Sequence, residues 1–194
     1  MITGAMPPEP ATAYLDSPSG ATGDAPLFSE GQRVGGSYLL KRKVDSAGTM
    51  EVWQARDEVM DRDVALHFIP EPVHADKASM EKLRSEIKRV RQLMHPGVLK
   101  IHAFVDEPAG AAIVTDPVDG ESLAALLRKK PARCLEPSEI APLLAQLCAT
   151  LDDTHRIQLF HRDLSPENVL LLKNGKVVIA NYAVSRCVKE SLGR

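Results

Sequence analysis

His161-Arg162-Asp163-Leu164-Ser165-Pro166-Glu167-Asn168 separates an apolar helical run ending near His155-Arg156 from an apolar strand-like run, Val169 to Leu172. Downstream, Val169 to Leu172 and Val177 to Ala180 flank Lys173-Asn174-Gly175-Lys176, and the central Asn-Gly predicts a two-residue hairpin. Upstream, Pro137 to Ile157 reads as a helix with Ile140, Leu143, Leu144, Leu147 and Leu151 on one face. Pro142 is expected in its first turn, where a missing N–H matters least.

Further upstream, Glu121 to Lys129 reads as a short helix, preceded by the breaker Asp116-Pro117-Val118-Asp119-Gly120. Val98 to Val105 and Ala111 to Thr115 are strand-like. Met80, Leu83, Ile87, Val90 and Met94 form a single helical stripe, with Asp76 as N-cap and His95-Pro96-Gly97 as stop. Glu86, three from Leu83 and four from Val90, lies on that stripe's side and points toward the sheet. From Ser37 to Ile69, three short runs rich in β-branched or aromatic residues alternate with turns and predict an antiparallel meander. Residues 1–30 carry five prolines among Ala, Gly, Ser and Thr and are expected to be a disordered tail.

Charge is nearly balanced, 24 Lys+Arg against 26 Asp+Glu, so neither nucleic acid nor an anionic membrane is the expected partner. No apolar run approaches the ~18 residues of a membrane span, and the N-terminus lacks the basic and apolar regions of a signal peptide. Cys134, Cys148 and Cys187 are odd in number and show no zinc spacing. A reduced, cytoplasmic protein is expected, with Cys148 a small core residue of its helix.

Five strands with one helix after the third, a hinge, then helices, the His-Arg-Asp octet and a hairpin resemble the protein kinase family over residues 37–190. The resemblance implies an α+β, protein kinase-like fold. A five-stranded antiparallel N-lobe sheet with one helix would span 31–116, and an incomplete helical C-lobe 117–194. It implies that Asp163 accepts or orients a substrate hydroxyl proton and that Asn168 holds magnesium. Val52, Ala65 and Leu170 match the residues that sandwich adenine. Thr115 falls at the gatekeeper, and the Asp116 carbonyl and Val118 N–H at the hinge. His67, in Val64-Ala65-Leu66-His67, takes the place of the phosphate-binding lysine, whose partner matches Glu86. Asn181-Tyr182-Ala183 stands where the family has Asp-Phe-Gly. Val90, Ile101, His161 and Tyr182 match its packing spine.

Several of these positions depart from the pattern. The glycine-rich loop aligns with Asp45-Ser46-Ala47-Gly48-Thr49-Met50, and none of its three glycine positions, Asp45, Ala47 and Met50, is glycine. Glycine there lets backbone N–H groups approach phosphate. His67 is shorter than lysine and mostly neutral at pH 7. Losing a charge-assisted hydrogen bond of ~1.5–3 kcal/mol weakens binding roughly ten- to a hundredfold. Asn181 offers magnesium a neutral amide where the ion prefers an anionic oxygen. Ser165 replaces a lysine common in the Ser/Thr branch.

The implied reading is a pseudokinase, a scaffold or allosteric binding module with weak or absent ATP binding and poor Mg2+ binding. The alternative is a divergent Ser/Thr kinase that uses Asp163 and Asn168. A second basic side chain in the cleft, with an acid beside Asn181, would favour that alternative. Protonated His67 pairing with Glu86 would make a pH sensor. The chain stops at Arg194, before the family's later helices, so the apolar stripe of 137–157 is expected to need a protein partner, a second copy or the missing C-lobe region as cover.

Overall fold

The computed structural model describes residues 28–47, 50–182 and 184–193; for 45–47 only the backbone is described. The expected tail lies outside these residues up to 27. Its last part does not behave as expected, because Phe28 is buried and stacks on Phe68 with ring centroids 3.8 Å apart. The middle of the glycine-rich-loop position, Gly48-Thr49, also lies outside the described residues.

A two-residue strand, β1 (Arg33–Val34), precedes the predicted meander of β2 (Tyr38–Ala47), β3 (Met50–Asp57) and β4 (Arg62–Phe68). The alternation of side chains along β4 sets the two faces of the sheet. Val64, Leu66 and Phe68 join Phe28, Leu40, Trp53 and Val114 in one apolar cluster, which sends Ala65 and His67 to the opposite face. A short helix, α1 (Glu71–Ala75), follows with only Val73 buried; the sequence reading placed no helix there. Next comes α2 (Lys77–Arg91), whose Asp76 cap accepts the Ser79 N–H at 2.9 Å. Met80, Leu83, Ile87 and Val90 are buried as predicted. Met94 is not: it is 82% exposed, because the helix ends three residues earlier in a tightened turn with Gln92 N–H to Arg89 and Leu93 N–H to Val90.

β5 (Ile101–Glu107) and β6 (Gly110–Thr115) complete a six-stranded sheet in the order β1-β2-β3-β4-β6-β5. It has one strand more than expected. The predicted start of β5 at Val98 moves, because Val98 bridges to Ile179 and the Leu99 N–H bonds the Ile179 carbonyl at 2.9 Å. That link ties the first sheet to a second one, made of β7 (Gly120–Ser122), β8 (Val169–Leu172) and β9 (Val177–Ile179). The hairpin forms where predicted but with a three-residue loop, 173–175, instead of two residues: the Leu172 N–H bonds the Lys176 carbonyl at 2.9 Å, and Gly175 rather than Asn174 takes positive φ, 82°.

Between β7 and β8 lie α3 (Leu123–Lys129), capped by the Ser122 hydroxyl, and α4 (Pro137–Arg156). Pro142 sits in the second turn of α4 rather than the first, because the helix opens at Pro137 with the Glu139 carboxylate accepting the Glu136 N–H at 3.0 Å. Cys148 is exposed rather than in the core. It follows Leu147 by one residue, about 100° round the helix from the apolar stripe, and the residues α4 buries are Thr150 and Thr154. Leu144 is 46% exposed. A last helix, α5 (Val184–Ser191), was not anticipated; it buries Val184, Cys187 and Val188 among Val73, Met80, Leu83 and Ile87.

Candidate functional site

The residues singled out in the sequence gather where the two sheets meet. On the first sheet, the β3–β4 register sets Val52 beside His67 and Gln54 beside Ala65. Val52, Ala65 and Val118, which the resemblance implies lie around adenine, line one small space together with Val44, Val64 and Pro117. The space they leave is only about 10 Å3, room for about one water molecule. Leu170 lies apart from that lining, packed with Leu99, Val118, Val178 and Ala180.

His67 is 4% exposed. Its Nε2 lies 3.1 Å from Thr115 Oγ1, and that hydroxyl donates to the Asp116 carbonyl at 3.0 Å. Nε2 therefore carries the proton, and Nδ1 is a buried lone pair without a partner. Burial pushes the imidazole pKa down to about 4, so the ring is neutral. The same hydroxyl uses one of the two lone pairs of the Asp116 carbonyl. Glu86 does not meet His67. Its carboxylate turns to Arg89 at 3.4 Å and Arg162 at 3.8 Å. His67 is a histidine packed in its strand, the favoured expectation, and the pair that would sense pH is not formed.

On the other side of the cleft the octet is held by its histidine. His161 is buried, donates from Nε2 to the Ala180 carbonyl at 2.8 Å, and accepts the Asp163 N–H at Nδ1, 3.3 Å away. Desolvation lowers its pKa and keeps it in this neutral form. Its ring meets Tyr182 edge-on at 4.8 Å, and the Tyr182 hydroxyl bonds Thr154 of α4 at 2.6 Å. Arg162 and Asn181 take positive φ, 64° and 58°, where the chain turns sharply.

Asp163, Asn168 and Asn181 come together and the two asparagines bond each other, while Asp163 Oδ2 is buried without a hydrogen-bond partner. Asn168 donates to the Asp163 carbonyl at 2.9 Å, and its Oδ1 accepts from the Asn181 amide at 3.0 Å. The Asp163 carboxylate is held by Lys189, whose Nζ lies 2.9 Å away. Lys189 stands on α5 and escaped the sequence reading; the only available signal was the i, i+3, i+4 spacing of Val184, Cys187 and Val188. The Asn181 amide is bonded to another amide, not to a carboxylate. This donor set does not fit Mg2+, which seeks anionic oxygens in octahedral array. The one carboxylate is ion-paired to Lys189, leaving Oδ2 without a hydrogen bond as the single anionic oxygen, and one of the two amide oxygens is already taken.

A family model described as protein kinase domain matches residues 38–192. Among curated relatives, the chain is 28% identical over 168 residues to a probable serine/threonine-protein kinase of Streptomyces coelicolor, covering 84% of this chain and 25% of that protein. It is 28% identical over 163 residues to the serine/threonine-protein kinase PknA of Mycobacterium tuberculosis, covering 81% and 37%. With PrkC of Bacillus subtilis the figures are 24% over 161 residues, 83% and 24%. The chain therefore spans about a quarter to just over a third of these relatives' length. The crystal structure of the Mycobacterium tuberculosis PknI kinase domain superposes with a TM-score of 0.72 at 21% identity, over 81% of this chain and 63% of that one; this likeness concerns the fold.

Proposed function

The chain belongs to the protein kinase domain family, and from that premise we propose that it is a pseudokinase, a scaffold or allosteric binding module with weak or absent ATP binding and no Mg2+-dependent phosphoryl transfer. One observation carries the reading: the side chain in the phosphate-binding lysine's place is His67, buried, neutral and bonded to Thr115, with Glu86 turned away to arginines. Phosphoryl transfer depends on positioned positive charge around the phosphates, and this strand supplies none. The small adenine space and the Asn168–Asn181 bond support the same reading.

Other features bear on how such a module would work. The half-exposed stripe of α4 supports a protein partner, or a further part of the kinase domain, packed over Leu144 and its neighbours. The three thiols are unpaired, in keeping with the reducing cytoplasm. Among the described residues no helix is long and apolar enough to cross a membrane.

A second reading, a divergent Ser/Thr protein kinase, has Lys189 in its favour, because that side chain brings a cation to Asp163. A thermal-shift titration with ATP, with and without Mg2+, separates the two. The pseudokinase reading expects no shift, or a small one indifferent to the metal. A Mg2+-dependent shift of the size mass action gives, about 2.7 kcal/mol at a hundredfold excess over Kd, together with phosphate transfer to protein that Asp163→Ala abolishes, overturns it.

A further inference from the structure

A cavity of about 600 Å3 touches Pro117 and Val118 of the hinge, but none of the β3 and β4 residues that line the adenine position. Its walls are the segment from Leu93 to Lys100 and the β8–β9 hairpin. Val98, Leu99, Val118 and Val178 are buried and make an apolar floor. Met94 stands at the edge, 82% exposed, although helix packing gives it no reason to be apolar.

Charge is uneven around this floor. Asp119, next to the hinge, is held by Lys173 at 2.7 Å, while the half-exposed Asp116, itself a lining residue, bonds His102 at 2.6 Å, a partner that cancels its charge only when protonated. Lys100 and Lys176, both lining residues and both exposed, have no carboxylate partner among the described residues. The lining holds two lysines against one carboxylate, a net positive border to an apolar floor. An extended peptide needs only one side covered, which the floor and its lysines supply.

We propose that this groove docks an acidic, extended segment of a partner protein. A large apolar side chain sits on the Val98–Val118–Val178 floor beside Met94, and flanking Asp or Glu residues pair with Lys100 and Lys176. This goes beyond the pseudokinase reading by naming the chemistry of a partner. It does not depend on nucleotide, so the two can fail separately.

The test is selection of random dodecapeptides displayed on phage against the full chain, followed by fluorescence anisotropy with the enriched peptides made synthetically. Enriched peptides should hold acidic residues next to Leu, Phe, Tyr or Trp. Their affinity should fall about tenfold in the Lys100→Glu/Lys176→Glu variant, less in Lys100→Gln/Lys176→Gln, and steadily with added salt. Met94→Ala should weaken binding without changing the salt slope. All these side chains are exposed, so circular dichroism and the melting temperature should stay unchanged. The proposal is overturned by the absence of enrichment, by neutral or basic winners, or by affinity that ignores the lysine substitutions. It also fails if the lysine variant dissolves a dimer of this chain in sedimentation, since the occupant is then a second copy. A tenfold gain in affinity on removing residues 1–27 overturns it too, by making that acidic segment of the chain itself the occupant.

Discussion

His67 ties the stability of the fold to pH. Its folded pKa of about 4 lies below the ordinary 6.5, so the neutral form belongs to the folded state. Above pH 6.5 neither folded nor unfolded chain binds the proton, and the full stability is present. As pH falls from 6.5 toward 4 the unfolded chain is protonated first, and stability is lost. Between pH 6.5 and 5 the loss from this residue is about 2 kcal/mol. Urea unfolding at the two pH values should show it, and His67→Gln should flatten the slope. An unchanged slope in the variant would rule out a buried neutral imidazole as its source. Lys189 acts at the opposite wall. Its ion pair with Asp163 is partly exposed, so Lys189→Ala should lower the unfolding free energy by only about 0.5–1 kcal/mol, with Lys189→Arg restoring most of it.

The elements around the site are held by close approaches that tolerate little. Gly97 joins α2's exit to the second sheet, its carbonyl accepting the Ile179 N–H at 2.8 Å. A Cβ at Gly97 would lie 2.0 Å from Thr150 Oγ1 of α4. Gly97→Ala should therefore cost about 1–3 kcal/mol by overpacking, and Gly97→Ala/Thr150→Ala should recover most of the loss; a denaturant melt of the three variants decides. If the double variant recovers nothing, the strain lies elsewhere. Helix α5 is fastened more broadly. Val184, Cys187 and Val188 are inserted beside the α2 stripe, and Lys82 meets Glu190 at 2.6 Å. Its placement carries Lys189 into the cleft, whereas Glu86 on the neighbouring helix turns to arginines.

Across the whole molecule, apolar burial is uneven. The six-stranded sheet is packed on both faces, but α4 leaves Leu144 46% exposed, and Phe160 and Leu164 stand 41% and 42% exposed in the loop that follows. Such side chains together favour association. Concentration-dependent association is expected in sedimentation, reduced by Leu144→Glu/Phe160→Asp; association indifferent to those changes would place the contact elsewhere. The α2 stripe, the Asp76 cap, the Asn174-Gly175 hairpin and the meander were all legible in the chain, because each depends on residues a few positions apart. The His-Arg-Asp octet and His67 in the lysine's place were legible for the same reason, as was the nearness of Val52, Ala65 and Val118, though not that Leu170 lies apart from them. Tertiary structure alone decided that Glu86 turns from His67, that Asn168 and Asn181 bond each other, that the space between Val52, Ala65 and Val118 is small, and that Lys189 reaches Asp163 from 26 residues away. Those contacts join segments whose spacing carries no local period; they exist only where the packing of α5 and the second sheet brings the segments within bonding distance.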